Sequence, residues 1–523
     1  MIRFLTTISL SLYLITTTIY GQIDTLCPNV NIVNDQPIVT GSYDAFYSVL
    51  SNGTVKSFSN VSMDAGEYVE LNAGFTVENA ATFHAYIQGC AQDCIESLPL
   101  CEGNPCGDLS GRIDTEGRLY SNNQIIVSYH DDLAANPIDQ PAVKQYLDGI
   151  TNLTDPQTTL TECTCGANIL IYETQVPINV EGSIIQANTT GGPNEEGIFF
   201  GLNFYLETSE NNPRTTEGSP GRNQAALTAI ANPANVPIVA FLDTGIDYNL
   251  LPNNILLAQA SQCFQGQDVY GWNFIDNNND IFDNRGHGTA VVMSYLHTLT
   301  EEGIALDSQR ILPVKVLDDC GRGTMFSVVC GMYYAKEKGA TIINNSWGVY
   351  DNHFQLQESV IDLAKNLGIT MVCSAGNLQK DLSQIEHFPS GYSNTFNRIL
   401  PNGNTQAVSG LENVFEVGGL CHGVMDTPIT VGTLPFWPES NYRNYMWVEP
   451  AIGVQELINS ISVIPITPAI ACGISGTSYS TPQLTAGVLD YRLMNGSPPT
   501  QSNMMQVGRN VSNTFSHYSY TQR

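Results

Sequence analysis

"VPIVAFLDTGIDYN", residues 236–249, decides how the larger half of this 523-residue chain is read. An almost unbroken apolar run stops at Asp243 and turns through a glycine. A strand with one wet face would alternate polar and apolar residues, whereas a continuous run is buried on both faces, as in a parallel sheet covered by helices. The same pattern recurs in "ILPVKVLDD" (311–319), "ATIINNSWG" (340–348) and "GITMVCSAGN" (368–377), with helical "SVVCGMYYAKEKG" (327–339) and "SVIDLAKNLG" (359–368) between them. Strands alternating with helices predict an α/β fold with a parallel sheet and helices on both faces over 236–523. In such sheets chemistry collects at the carboxyl ends of strands, where Asp243 stands.

Three further stretches carry chemically telling residues. "DNRGHGTAVVMSYLHTL" (283–299) sets His287 between glycines at a helix start, "GITMVCSAGN" ends a buried strand at Asn377, and "GISGTSYSTP" (473–482) places Ser478 between a glycine turn and Pro482, which suits a first helical turn. Each alone reads equally well as local structure: a helix-start histidine, a turn asparagine, a capping serine. A carboxylate-dyad mechanism needs two acidic motifs, and Asp-Thr-Gly occurs once. A Gly-x-Ser-x-Gly elbow is absent around Ser478, because Ser480 fills its last place.

Together, "DTG", "GHGT", "AGN" and "GTS…P" stand in the order and broad spacing of the subtilisin-like serine proteases, which residues 236–523 resemble. The resemblance implies that Ser478 attacks the scissile carbonyl, His287 takes and returns its proton, and Asp243 orients the imidazole. It gives Asn377 and the Ser478 backbone N–H to the oxyanion and requires no cofactor for the chemistry. Two positions depart from the family pattern: Ala290 replaces the second histidine usual after "HGT", and Tyr479 with Ser480 replaces Met-Ala. Protein or peptide substrates would lie as an added strand between "CGRG", with Gly321 and Gly323, and "SWG", residues Ser346, Trp347 and Gly348. Ser374, Ala375 and Gly376 resemble one wall of the specificity pocket, and an insertion at about 391–412 obscures the other. "WNFIDNNNDIFDNRGHG" (272–288) resembles a stretch that holds calcium in some relatives, which makes Asn273, Asp276, Asn278 and Asp280 candidate ligands of a structural calcium. A polar Asx-rich turn accounts for the same residues, and both readings stay open.

The rest of the chain reads as accessory. Residues 1–21 have one arginine and an apolar run, as a signal peptide does, which predicts secretion or retention at the cell surface, and no membrane association after cleavage. A formal charge of −30 excludes nucleic acid as a partner, and thirteen cysteines in an exported chain predict disulfides. Residues 22–89 contain "DAGEYVEL", "NAGFTVEN" and "AATFHAYI", an eight-residue echo that predicts a β-solenoid-like module. A cysteine-rich connector (90–117) leads to a small α/β sandwich (118–208), where the resembled family carries a propeptide that inhibits its own enzyme, and a polar processing linker (209–235) follows. The competing reading is a weak or inactive relative that acts as an extracellular binding scaffold. The complete Asp, His, Asn and Ser set argues against it.

Overall fold

The structure, a computed structural model, describes residues 30–33, 38, 41–45, 48–65, 68–71, 75–86, 111–114, 118–129, 139–189, 198–207, 236–252, 255–400, 404–420, 440–441, 447–450 and 476–507. The signal-like stretch, most of the cysteine-rich connector and the linker 209–235 lie outside them. The chain divides into two compact units, 1–96 with 421–435 and the remainder.

The smaller unit is built of parallel ladders. Val30–Val33, Ser48–Ser51 and Tyr68–Leu71 stack as one, Gly41–Ala45, Asn60–Ala65 and Thr82–Tyr86 as another, and Thr54–Val55 on Thr76–Val77 as a third. Its core is Ile38, Val55, Val61 and Met63, with Val69, Phe75 and Phe83 packed against it. The stacked partners correct the expected period. Ser48 pairs with Tyr68 and Val61 with Phe83, 20 and 22 residues apart. One rung is therefore a multi-sided turn, and residues eight apart fall on different sides of it.

The described residues of the larger unit form two large sheets and a separate hairpin. The first is antiparallel and includes β1 (Gly111–Ile113), β2 (Leu119–Tyr129), β3 (Thr158–Glu162), β4 (Ile169–Thr174) and β5 (Ile198–Glu207), with helices α1 (Gln140–Thr151) and α2 (Val180–Thr189). Val143 and Leu147 of α1 and Val180 and Ala187 of α2 pack on Ile125, Val127, Leu170 and Tyr172 to form its own core.

The second sheet has seven parallel strands, led in sequence by β6 (Ile238–Asp243), β7 (Trp272–Asn273) and β8 (Arg310–Lys315). Next along the chain come β9 (Arg322–Thr324), which joins the other sheet, then β10 (Ile342–Asn345) and β11 (Thr370–Ser374). A hairpin of β12 (Phe396–Ile399) and β13 (Thr405–Val408) occupies the insertion at 391–412, and β14 (Val414–Leu420) and β15 (Trp447–Pro450) complete the set. The spatial order is β7-β8-β6-β10-β11-β14-β15. Every residue of β6, β8, β10 and β11 is buried, which is why their sequences are continuous rather than alternating. Helices α3 (His287–Glu301), α4 (Met325–Glu337), α5 (Phe354–Val360) and α6 (Thr477–Asn495) flank the sheet. Among the described residues no helix is long and apolar enough to cross a membrane.

Lys338, directly after α4, is wholly buried and fastens the loop below. Its Nζ donates to the carbonyl oxygens of Gln259 and Asp268 and lies 3.2 Å from Asp268 Oδ2. Lys338→Met would strand the Asp268 carboxylate without its cation. Breaking a buried pair in this way costs about 3 to 5 kcal/mol, so denaturant unfolding of the variant should show a loss of that size with an unchanged m-value.

Candidate active site

The carboxyl end of the parallel sheet is where the candidate residues meet. Asp243 closes β6 and His287 opens α3, and His287 Nδ1 stands 2.7 Å from Asp243 Oδ1 with both side chains almost fully buried. A carboxylate only accepts, so the Nδ1 proton lies between them and Nε2 is left as the acceptor on the neutral ring.

A second carboxylate, which no motif marks, fixes both carriers of this pair. Asp283 Oδ1 accepts from Thr244 Oγ1 (2.9 Å) and from the Arg285 (3.0 Å) and Gly286 (2.8 Å) N–H groups. Its Oδ2 accepts from the Thr289 N–H (2.8 Å) and Oγ1 (2.7 Å). Thr244 Oγ1 in turn accepts from the Gly288 N–H at 3.0 Å. Burial would raise the Asp283 pKa, but Lys315 and the Thr289 hydrogen bonds outweigh it, and the carboxyl is held below its ordinary value. Its only signal in the sequence is an acidic residue just ahead of a helix start, a common cap.

Ser478 is the second residue of α6. Its Oγ donates to the Ser346 carbonyl at 3.1 Å, and Ser346 Oγ donates back to the Ser478 carbonyl at 2.8 Å. That carbonyl is open to a side chain because the residue four further on is Pro482, which has no N–H to give. Pro482 therefore stands in the second helical turn and not, as expected, in the first. Tyr479, the departure from the family pattern, lays its ring 5.6 Å from that of His287, which brings His287 beside the start of α6. Ala290 is buried in the core on the same helix as His287.

Asn377 follows β11. Its Oδ1 accepts from the Thr477 N–H (3.0 Å) and Oγ1 (2.7 Å), so the carboxamide orientation is fixed and Nδ2 is the edge turned towards Gly476. The turn before it is crowded. Gly376 has φ +90°, and a Cβ there would come within 2.6 Å of Asn441 Nδ2 and 3.0 Å of His387 Nε2. Asn441 braces this turn by donating to the Ala375 carbonyl (2.6 Å) and accepting from the Leu378 and Lys380 N–H groups. Neither Asn441 nor His387 carries a signal in the sequence: Asn441 lies more than sixty residues beyond the turn it braces, and His387, ten residues after Asn377, belongs to no motif.

The expected substrate edges differ in how far they are free. Ser346 and Trp347 are buried just past β10, and Ser374, Ala375 and Gly376 are buried at and just past the end of β11. A Cβ on Gly348 would collide with His387, so only glycine fits there. Gly323 lies in β9, and β9 is already paired: Tyr205, Leu206 and Glu207 of β5 oppose Thr324, Gly323 and Arg322.

The loop at 272–288 is shaped by its own Asn and Asp side chains. Asn273 Oδ1 accepts from the Ile275 and Asp276 N–H groups while its Nδ2 donates to Asp276 Oδ2, and Asn278 Oδ1 accepts from the Asp280 N–H. Asn273 and Asn278 also pair through their backbones. These bonds are Asx turns and a side-chain pair that set the course of the loop.

The parallel sheet thus brings together a buried Asp–His pair at a strand end, a serine at the start of a central helix and an asparagine next to that start. Residues 235–491 match the Peptidase_S8 model, described as the subtilase family, and this part of the chain belongs to that family. The thermophilic serine proteinase of Bacillus sp. (strain AK1) is 33% identical over 159 residues, 30% of this chain and 36% of that protein. Thermitase of Thermoactinomyces vulgaris is also 33% identical over 159 residues, 30% of this chain and 52% of its own length. The chain thus spans about a third to a half of these relatives. The crystal structure of fervidolysin from Fervidobacterium pennivorans, a keratinolytic enzyme related to subtilisin, overlaps 79% of this chain and 60% of its own at 16% identity, with a TM-score of 0.41, too low to add to the comparison.

Two buried histidines make the unit acid-sensitive. Burial pulls His387 down to about 4, against the opposing hydrogen bond with the Ser374 backbone. Burial, then the charge of Arg118, pulls His353 down to about 3 against Asp114. Unfolding lets both rings protonate near their ordinary pKa of about 6.5, so stability is full above that pH and falls as pH drops towards 4 and 3. Each histidine contributes a slope of about 1.4 kcal/mol per pH unit in that window. Chemical unfolding at pH 7.5, 6 and 5 should show the decline, and His387→Gln should flatten it by roughly half.

Proposed function

We propose that the chain is a secreted serine endopeptidase that hydrolyses peptide bonds of protein or peptide substrates. Ser478 is the nucleophile, His287 Nε2 the base that takes its proton and returns it to the leaving amine, and Asp243 the group that holds the Nδ1 tautomer and stabilises the imidazolium. For attack, Ser478 Oγ turns from the Ser346 carbonyl to His287. Asn377 Nδ2 and the Ser478 N–H receive the oxyanion, the side-chain donor being worth about 3 kcal/mol. The observation that carries this reading is the buried 2.7 Å contact of His287 with Asp243, set beside the start of the helix that bears Ser478.

The substrate's amino-side segment lies as a strand near "SWG" and Gly321, with Ser374, Ala375 and Gly376 lining the pocket for the residue before the cut. Export is supported by disulfides between Cys163 and Cys330 and between Cys165 and Cys263, which persist in oxidising compartments. The sandwich at 118–208 is an intramolecular inhibitor until the linker at 209–235 is cut, and β5 lies along β9, beside "CGRG".

A fluorophosphonate probe tests the chemistry. Purified protein should be labelled at Ser478, with no labelling of Ser478→Ala. Asn377→Ala should lower kcat on a peptide substrate by about 100- to 1,000-fold and Asp243→Asn by about 10,000-fold, with KM little changed. An unlabelled native protein would mean a binding scaffold instead.

A further inference from the structure

Two disulfides join the antiparallel sandwich to the parallel-sheet part of the same unit. Cys163, just after β3, bonds to Cys330 inside α4, and Cys165 bonds to Cys263 in the loop that Lys338 fastens, with Cα atoms 5.6 and 5.3 Å apart. Each bridge spans the linker at 209–235, with one sulfur on either side of it in the sequence. Cys163, Cys165 and Cys330 are each at most 4% exposed, and they belong to one apolar core with Ile126, Ile169 and Leu206 on one side and Val328, Met332 and Leu356 on the other. Around them the interface is specific. The Phe326 N–H donates to Asn203 Oδ1 (3.1 Å), Gln355 Nε2 donates to Ser128 Oγ (3.1 Å), and the rings of Phe204 and His353 lie 4.3 Å apart.

We infer that the sandwich is a permanent, disulfide-held second chain of the cut enzyme rather than a dissociating propeptide, and that it narrows substrate recognition on the amino side of the scissile bond. This rests on the protease reading and on a cut in the linker. Once the linker is cut, β5 stays on β9. In that ladder Gly323 stands opposite Leu206, and the groups of β9 that face away are taken as well: the Arg322 carbonyl and N–H bond to the Asp318 N–H and Oδ1, and the Thr324 N–H donates to Ser327 Oγ. A substrate strand cannot add to an edge that is already paired. Recognition on that side is left to Gly321 and "SWG", so substrate residues far from the cut find no strand to join. The buried sulfurs also explain why no thiol step is required: access limits exchange, and the bridges serve as structural staples.

The test separates retention from catalysis. A site-specific protease recognition sequence is placed in the linker of Ser478→Ala, which cannot depend on its own activity, and the protein is cut there. One band on a non-reducing denaturing gel and two after reduction are expected. Two bands without reductant would overturn the inference. In Cys163→Ser/Cys165→Ser the cut pieces should separate under the same denaturing conditions. A band that stays joined would show that another link holds it and would overturn the role given to these two bridges. For specificity, the otherwise native enzyme with its linker cut is given fluorogenic peptides with two, four and six residues ahead of the scissile bond. kcat/KM should level off by the fourth residue. A native enzyme that gains tenfold with length would refute the covered edge. Absence of any turnover together with absence of fluorophosphonate labelling would instead refute the protease reading and leave the gel result standing.

Discussion

The Asp283 carboxylate is the constraint on which the candidate site depends. Asp243 and His287 belong to different elements, a strand end and a helix start 44 residues apart, and a 2.7 Å contact between them survives only if both carriers are held. Asp283 accepts hydrogen bonds from the residue after Asp243 and from the helix turn that carries His287, so one anion sets the distance between strand and helix. A buried anion is tolerable only when fully bonded, and here both carboxylate oxygens are met by donors, with Lys315 supplying the countercharge. Lys315 is itself tied to the Thr244 carbonyl and to Asp319.

The helix that bears Ser478 solves a different problem. α6 is buried along most of its length and passes between α3 and the strands β10, β11 and β14. A helix enclosed in this way cannot be amphipathic, and its buried polar residues must be paired with partners on neighbouring elements. Thr485 Oγ1 donates to Asn344 Oδ1, whose Nδ2 donates to Ser346 Oγ, which donates to the carbonyl freed by Pro482. The chain of hydrogen bonds runs from the helix to the strand end and back to Ser478. A proline that would weaken an exposed helix here gives the site its register against β10.

How much of this is legible in the sequence depends on the range of the forces involved. Continuous apolar strands and glycine-flanked polar residues are local signals, so β6, β8, β10 and β11 and the motif residues Asp243, His287, Asn377 and Ser478 can be read directly. Three things cannot. The eight-residue echo near residue 70 is a real pattern with a different spatial meaning, because parallel stacking joins residues about 20 apart. β3, "TTLTE", has only one apolar residue and exists because it pairs with β4. Partners that meet across more than sixty residues of chain, such as Asn441 under Ala375, leave no local trace.

The two disulfides show how the two sheets of the larger unit became one structure. β9 is only three residues long, an edge too short to be stable alone, and β5 completes it by extending the antiparallel sheet across what would otherwise be a boundary between domains. Noncovalent pairing over three residues is weak beside the entropy that a cut chain regains. Joining Cys163 to Cys330 removes most of that freedom, because the bridge keeps the two pieces one covalent molecule. Cys165 to Cys263 fixes the second point, and two points prevent the sandwich from pivoting about the first. An edge strand that would invite pairing with any extended chain is thereby committed to one partner, which converts a local liability of the fold into a fixed wall beside the candidate site.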